Sequence, residues 1–168
     1  MEALSPEIFR EYDIRGVVGR DLTADVAGVV ARAFAVKLKR SGAKGPVAVG
    51  RDCRLSGDEL FAAFRDGLTG SGFDVIDLGV CPTPLVYFAL FHLDVAGGVQ
   101  ITGSHNPAEY NGFKLSVGRT TIWGVEIQEL REIALSGETV TGPAQGLVTS
   151  YAIIPAYTDY VRQNTPLK

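Results

Sequence analysis

At 168 residues, 46% hydrophobic and 21% charged, the chain has the make-up of an ordinary globular sequence, long enough for one domain with a substantial core. Its formal charge of −3, with no cluster of lysines and arginines, excludes the electrostatic footprint of a nucleic-acid binder, so local positive charge must come from single placed residues such as Arg15 and Lys114. Cys53 and Cys81 make no disulfide framework, two histidines show no zinc spacing, and no stretch approaches the about 20 apolar residues of a membrane span. The opening residues have neither the basic nor the apolar region of a secretory signal, and the expected location is the cytoplasm.

In chain order, Thr23 is placed to cap a helix running to about Arg40, with Val26, Val30, Phe34 and Leu38 recurring every four residues and Ser41-Gly42 ending it. Val47 to Gly50 reads as a short buried strand. Ser56 with Glu59 forms a capping-box pattern for a helix carrying Leu60, Phe64 and Leu68, stopped by Ser71-Gly72. A strand is expected from Phe73 to Leu78. Thr83 and Pro84 then supply a cap and an N1 proline for a helix over Leu85 to Leu93. The helical spacing of Phe61, Phe64, Phe88 and Phe91 marks them as core.

Gly97 to Thr102 reads as a strand with Val99 and Ile101 on one face, and the chain then leaves the sheet. Gly103 permits a turn that a side chain would restrict, Pro107 biases Asn106 away from helix, and Asn111-Gly112 reads as a turn pair. Beyond it, Phe113 to Val117 alternates, so a strand would bury Phe113, Leu115 and Val117 and turn Lys114 to the opposite face, back over the loop. Gly124 to Leu135 is helical in pattern, residues 137–150 shift to Gly, Thr, Ser and Pro as a linker or extended surface segment, and Tyr151 to Asn164 forms a further helix. Strands alternating with helices of this length predict an α/β layer architecture with a mostly parallel sheet, in which the strand after the loop can run antiparallel.

The chemistry concentrates in that loop. The hydroxyl of Ser104, between Gly103 and His105 at the end of an apolar strand and with Lys114 ten residues on, is open to close approach by a ligand and suits a phosphoryl group. The flanking glycines of the serine-hydrolase elbow are missing. Arg51, Asp52 and Arg54 read as a structural turn satisfying backbone groups beside a helix start, outside the site.

The run from Thr102 to Lys114, Thr-Gly-Ser-His-Asn-Pro followed by Tyr-Asn-Gly-Phe-Lys, resembles the phosphoserine loop of the α-D-phosphohexomutase superfamily, in its phosphomannomutase/phosphoglucomutase branch. Phe9 to Gly16 resembles that family's N-terminal segment, and Gly50 to Gly57 its Gly-Arg-Asp-x-Arg-x-Ser-Gly turn; with Pro82-Thr83-Pro84 the resemblance runs from about Phe9 to the mid-130s. It implies a three-layer α/β/α sandwich with a mixed, mostly parallel sheet. It also implies phosphoryl transfer through phosphorylated Ser104 to a hexose 1- or 6-phosphate, by way of glucose 1,6-bisphosphate or mannose 1,6-bisphosphate. Arg15 would contact the phosphoserine, Lys114 and His105 would assist proton and charge movement, and Tyr12 would help position the sugar. Mg²⁺ would meet Ser104 through its phosphate, but the Asp-rich loop that completes the metal site in the family has no counterpart here, since no two aspartates are spaced as Asp-x-Asp. The resulting expectation is a catalytic-serine domain over residues 1–136, with residues 137–168 a linker and helix leading to a second domain, and little or no activity by itself. A phosphoglucosamine mutase domain and a non-catalytic phosphosugar-binding domain are the alternatives.

Overall fold

The computed structural model describes residues 4–165. After a single 3-10 turn at Pro6–Ile8, the chain forms β1 (Ile14–Val17), α1 (Ala24–Ser41), β2 (Val47–Arg51), α2 (Gly57–Gly70), β3 (Val75–Val80), α3 (Thr83–His92), β4 (Gly97–Ile101), β5 (Tyr110–Val117), β6 (Thr120–Thr121), α4 (Val125–Ser136), β7 (Val148–Ser150) and α5 (Ile153–Asn164). The sheet order is β1-β5-β4-β2-β3-β7, with β6 paired to β5. Strands β2, β3, β4 and β7 are mutually parallel, while β1, β4 and β6 each run antiparallel to β5. By direction, therefore, β5 alone opposes the others, and the mixed, mostly parallel sheet of the sequence reading is present.

Helices cover both faces. On one side α1, α2 and α4 bury Phe34, Phe64, Leu68, Ile127 and Leu130 against Val99, Ile101, Phe113 and Leu115 of the sheet. The rings of Phe64 and Phe113 lie 4.9 Å apart, and burying a side chain of this size contributes about 1.5–3 kcal/mol. On the other side α3 and the start of α5 close a smaller cluster of Ala48, Leu78, Leu85, Val86, Ala89 and Ile153. Parallel central strands covered on both faces are why β2 and β4 are apolar at nearly every position.

The cap at Thr23 is present, its hydroxyl accepting the Val26 N–H at 3.3 Å; α1 and α4 end against Gly42 and Gly137. Four local expectations are corrected. The Ser56–Glu59 capping box does not form, because the Ser56 hydroxyl accepts instead from the Asn111 side chain at 2.8 Å. Thr83 is the first helical residue rather than the cap; Pro82 holds that position in extended backbone. Asn111-Gly112 is no turn: β5 begins at Tyr110, and a Cβ on Gly112 would run into the Ile14 carbonyl of β1, so the glycine serves strand approach. Phe61 and Phe64 are core, but Phe88 is half-buried and Phe91 is 64% exposed, because α3 is apolar on all sides and only one side meets the sheet. The Gly- and Thr-rich stretch after α4 is extended, and its last three residues add a parallel edge strand to β3.

Candidate active site

Ser104 stands just past the carboxyl end of β4, where ligands collect in open α/β sheets. Among the described residues it is the one non-glycine with positive φ, at 52°. That left-handed conformation costs on the order of 1 kcal/mol or more for a residue with a Cβ, so the surroundings must impose it.

They do so through two charged residues fifty positions upstream. Asp52 accepts hydrogen bonds from the Thr102 hydroxyl at 2.8 Å and the Gly103 N–H at 3.2 Å, and Thr102 Oγ1 in turn accepts the Ser104 N–H at 2.9 Å. Arg54 lies beneath the loop, with Nε 3.3 Å from the Asp52 carboxylate. Its Nη1 donates to the carbonyls of Pro107 (2.6 Å) and Tyr110 (2.9 Å), and its Nη2 to those of Ser104 (3.3 Å) and Asn106 (2.7 Å). A planar guanidinium with several fixed donors can hold four carbonyls at once, which a lysine could not. Gly103 is required by the same contact, since a Cβ there would occupy the guanidinium's place. The loop thus has its backbone oxygens turned inward to Arg54 and the Ser104 side chain exposed outward.

The predicted site residues fall into two adjoining groups. Ser104 and His105 line a cleft of about 980 Å³ together with Asp52, Arg54 and the start of α3. Tyr12 and Lys114 line another, of about 530 Å³, with Tyr87, Thr121 and Trp123. Lys114 does point to the face opposite Phe113 and Leu115, and its ammonium rests 3.4 Å from the buried Asp13 carboxylate. Arg15 pairs with the same carboxylate at 3.1 Å and donates to the Asn106 side-chain oxygen at 3.0 Å. Asp13 is therefore the hub: two cations on one carboxylate leave a net positive charge, tied to the serine loop through Asn106. In the smaller core cluster against α3, burial pushes the pKa of the Cys81 thiol up to about 11, which keeps it protonated at neutral pH.

Sequence reasoning places Arg51, Asp52 and Arg54 in a structural turn, and for Arg51, bonded to Asp58 and Asp77, that is what is seen. Asp52 does serve that turn, accepting the Arg54 N–H at 3.0 Å, but Asp52 and Arg54 also build the serine loop, and Asp13 and Asn106 connect the cations to it. The signal available was the Gly50–Gly57 motif itself.

A mixed sheet covered by helices on both faces, with a clamped loop past the end of β4, defines an α/β/α domain. The chain matches the family model "Phosphoglucomutase/phosphomannomutase, alpha/beta/alpha domain I" over residues 6–139, and it belongs to that family. A phosphoglucomutase of Neisseria gonorrhoeae is 44% identical over the whole of this chain and 36% of its own length. A phosphomannomutase/phosphoglucomutase of Pseudomonas aeruginosa is 44% identical over 96% of this chain and 34% of its own. Among solved structures, a phosphoglucomutase/phosphomannomutase family protein of Burkholderia thailandensis superposes with a TM-score of 0.92 at 38% identity, covering 99% of this chain and 37% of that one. The chain spans about a third of the length of these relatives.

The metal that the resemblance implies does not fit the residues present. Among the described residues no three His, Cys, Asp or Glu side chains converge. The carboxylates that meet the serine loop and its cations are already engaged, Asp52 by the loop and Asp13 by two cations. A near-octahedral ion cannot be held by one serine oxygen. Also among the described residues, no helix is long and apolar enough to cross a membrane.

Proposed function

We propose that this chain supplies the phosphoryl-carrying serine of a phosphohexomutase, with Ser104 as the group that is phosphorylated and that returns its phosphoryl to a hydroxyl of a hexose 1- or 6-phosphate. The observation that carries the reading is the loop: a serine in a costly backbone conformation, imposed by Asp52 and Arg54, with its hydroxyl exposed. Strain kept in place by a dedicated network at the mouth of a cleft is a mark of a functional residue.

Transfer of a phosphoryl group depends mainly on positioning and on stabilising charge spread over its oxygens. Arg15, held by Asp13 and linked to the loop through the Asn106 side chain, would bear on the phosphoserine; Lys114 would bear on the sugar phosphate in the adjoining cleft. His105, beside Ser104 in the serine cleft, would move the proton of the accepting or departing hydroxyl, and Tyr12, at the rim by Lys114, would position the sugar. Mg²⁺ in the working enzyme would take its remaining ligands from outside these residues. Residues 1–136 would be the serine domain and 137–168 the passage toward the parts that complete the sugar pocket.

The test is intact-mass measurement of the protein after incubation with glucose 1,6-bisphosphate or mannose 1,6-bisphosphate. Gain of one phosphoryl group, lost in Ser104→Ala, is expected, together with negligible steady glucose 1-phosphate turnover by this chain alone. A phosphoryl group that persists in Ser104→Ala, or steady turnover that survives it, would overturn the assignment.

A further inference from the structure

Asp13 is shared by both cations of the site. It lies one step before β1, where the register that pairs Ile14 with Phe113 brings it opposite Lys114, and Arg15, two positions on, projects from the same face of the sheet. The Asp13 side chain is 8% exposed, while those of Arg15 and Lys114 reach solvent at 35% and 22%. Arg15 spreads three donations over the two carboxylate oxygens, from Nη2 at 3.1 and 3.3 Å and from Nε at 3.4 Å, and Lys114 adds another at 3.4 Å. A dedicated charge-assisted bond measures about 2.7–2.9 Å, as Arg51 shows on Asp58 at 2.7 Å. A carboxylate that served structure alone would close on one cation at that length; this one holds two, each loosely, and neutralises one charge of the two. Desolvating a carboxylate also costs free energy that its cations return only in part, so stability does not explain the arrangement.

We infer that Asp13 is a positioning residue for phosphoryl transfer, which aims Arg15 at the serine loop and Lys114 at the adjoining cleft and restrains their combined charge. Asp13 takes the Nε and Nη2 edge of the Arg15 guanidinium, which leaves Nη1 to donate to Asn106 Oδ1 at 3.0 Å. Without the carboxylate the two cations would repel each other, Arg15 would lose the edge that orients it, and the site would carry one more positive charge. In the transfer, the phosphorus–oxygen bond to the donor sugar breaks, a phosphorus–oxygen bond to Ser104 Oγ forms, and the serine proton passes to the sugar oxygen. Charge on the moving group is best stabilised by cations already in place. Attraction and alignment therefore make opposite demands: attraction of the anionic donor grows with net positive charge, whereas alignment needs the carboxylate. The inference rests on the phosphohexomutase reading and adds the residue that holds its two cations.

Phosphorylation of Ser104 is followed by intact mass against glucose 1,6-bisphosphate concentration in the parent, Asp13→Asn and Asp13→Glu, which separates the saturating rate from the half-saturating concentration. Asp13→Asn keeps the shape and removes the charge. Its saturating rate should fall about 10- to 100-fold while its half-saturating concentration also falls, about 2- to 5-fold. Inorganic phosphate, titrated calorimetrically where no transfer is possible, should likewise bind Asp13→Asn about 2- to 5-fold more tightly than the parent. Loss of a merely structural contact would weaken binding or leave it unchanged. Asp13→Glu, which keeps the charge on a longer arm, should bind both anions as the parent does and show a saturating rate between those of the parent and Asp13→Asn. The head groups of Arg15 and Lys114 reach solvent, so water can take up the charges that Asp13→Asn frees, and circular dichroism checks the fold. An unchanged saturating rate or a half-saturating concentration that does not fall in folded Asp13→Asn would overturn the inference while leaving Ser104 as the acceptor. Tighter phosphate binding or a parent-like rate in Asp13→Glu would do the same, whether or not Asp13→Asn folds. No phosphorylation of the parent would overturn the functional reading and this inference with it.

Discussion

Beneath α1 and α2 the molecule is held by apolar contact: Phe34, Phe64, Phe113 and Leu115 are fully buried, and no single polar group fixes their arrangement. Three residues past Ile101 at the end of β4, the serine loop has almost no apolar support. Its shape depends on one carboxylate, one guanidinium and the carbonyls they meet. The first kind of stability is spread over many side chains and tolerates the loss of any one by degrees. The second is concentrated, so a single substitution should spoil the geometry while the domain remains folded.

The largest loss of stability should come from the core. Phe64→Ala leaves a cavity between α2 and the sheet and should cost about 3–5 kcal/mol in denaturant unfolding; a cost under 1 kcal/mol would mean that this face is not the main core. Arg54→Ala should behave in the opposite way. The freed carbonyls can be taken up by water at the half-exposed loop, at a cost of about 1–3 kcal/mol, but displacing Ser104 should slow phosphoryl acceptance about 10- to 100-fold. The two thiols also differ in setting, one beside the loop and one in the smaller core cluster against α3. Cys53, exposed beside the loop, should react readily with a thiol reagent in the native protein, whereas Cys81, buried and with its pKa raised to about 11, should react at least about tenfold more slowly until denaturant is added.

The smallest effect concerns the turn after β1. Hydrogen bonding from Arg20, and next from the Val17 N–H, holds the Asp21 carboxyl down to about 2 from its ordinary 3.8. Since the folded value lies below the unfolded one, this contribution is fully present above about pH 4 and fades as pH falls toward 2. Asp21→Asn should flatten the acid limb of the stability profile between those values, modestly, because the ion pair is open to solvent.

The alternation of elements, the Thr23 cap and the serine loop were legible because each is written in neighbouring residues. The features missed are those that depend on distant ones. Ser56 with Glu59 has the spacing of a capping box, yet Asn111 across the fold takes the Ser56 hydroxyl. Asn111-Gly112 has the composition of a turn, yet β1 lies against it and makes a strand of it. Lys114 is placed on the correct face by strand alternation, but the charge it pairs with, Asp13, lies 101 positions away. Phe91 follows the helical spacing of a core residue on a helix that has more apolar sides than the sheet can cover. Arg54 is the clearest case, since a turn motif specifies its backbone and only the fold shows that its side chain reaches residues 104–110.

We propose that Asp52 and Arg54 impose the conformation in which Ser104 can carry a phosphoryl group. It is tested most directly by the rate at which Ser104 gains a phosphoryl group from glucose 1,6-bisphosphate in the parent protein, Arg54→Ala and Arg54→Lys, with melting followed on the same samples. A rate lowered about 10- to 100-fold is expected in both variants, since lysine cannot bridge four carbonyls, with folding retained. Equal rates in folded variants would contradict it.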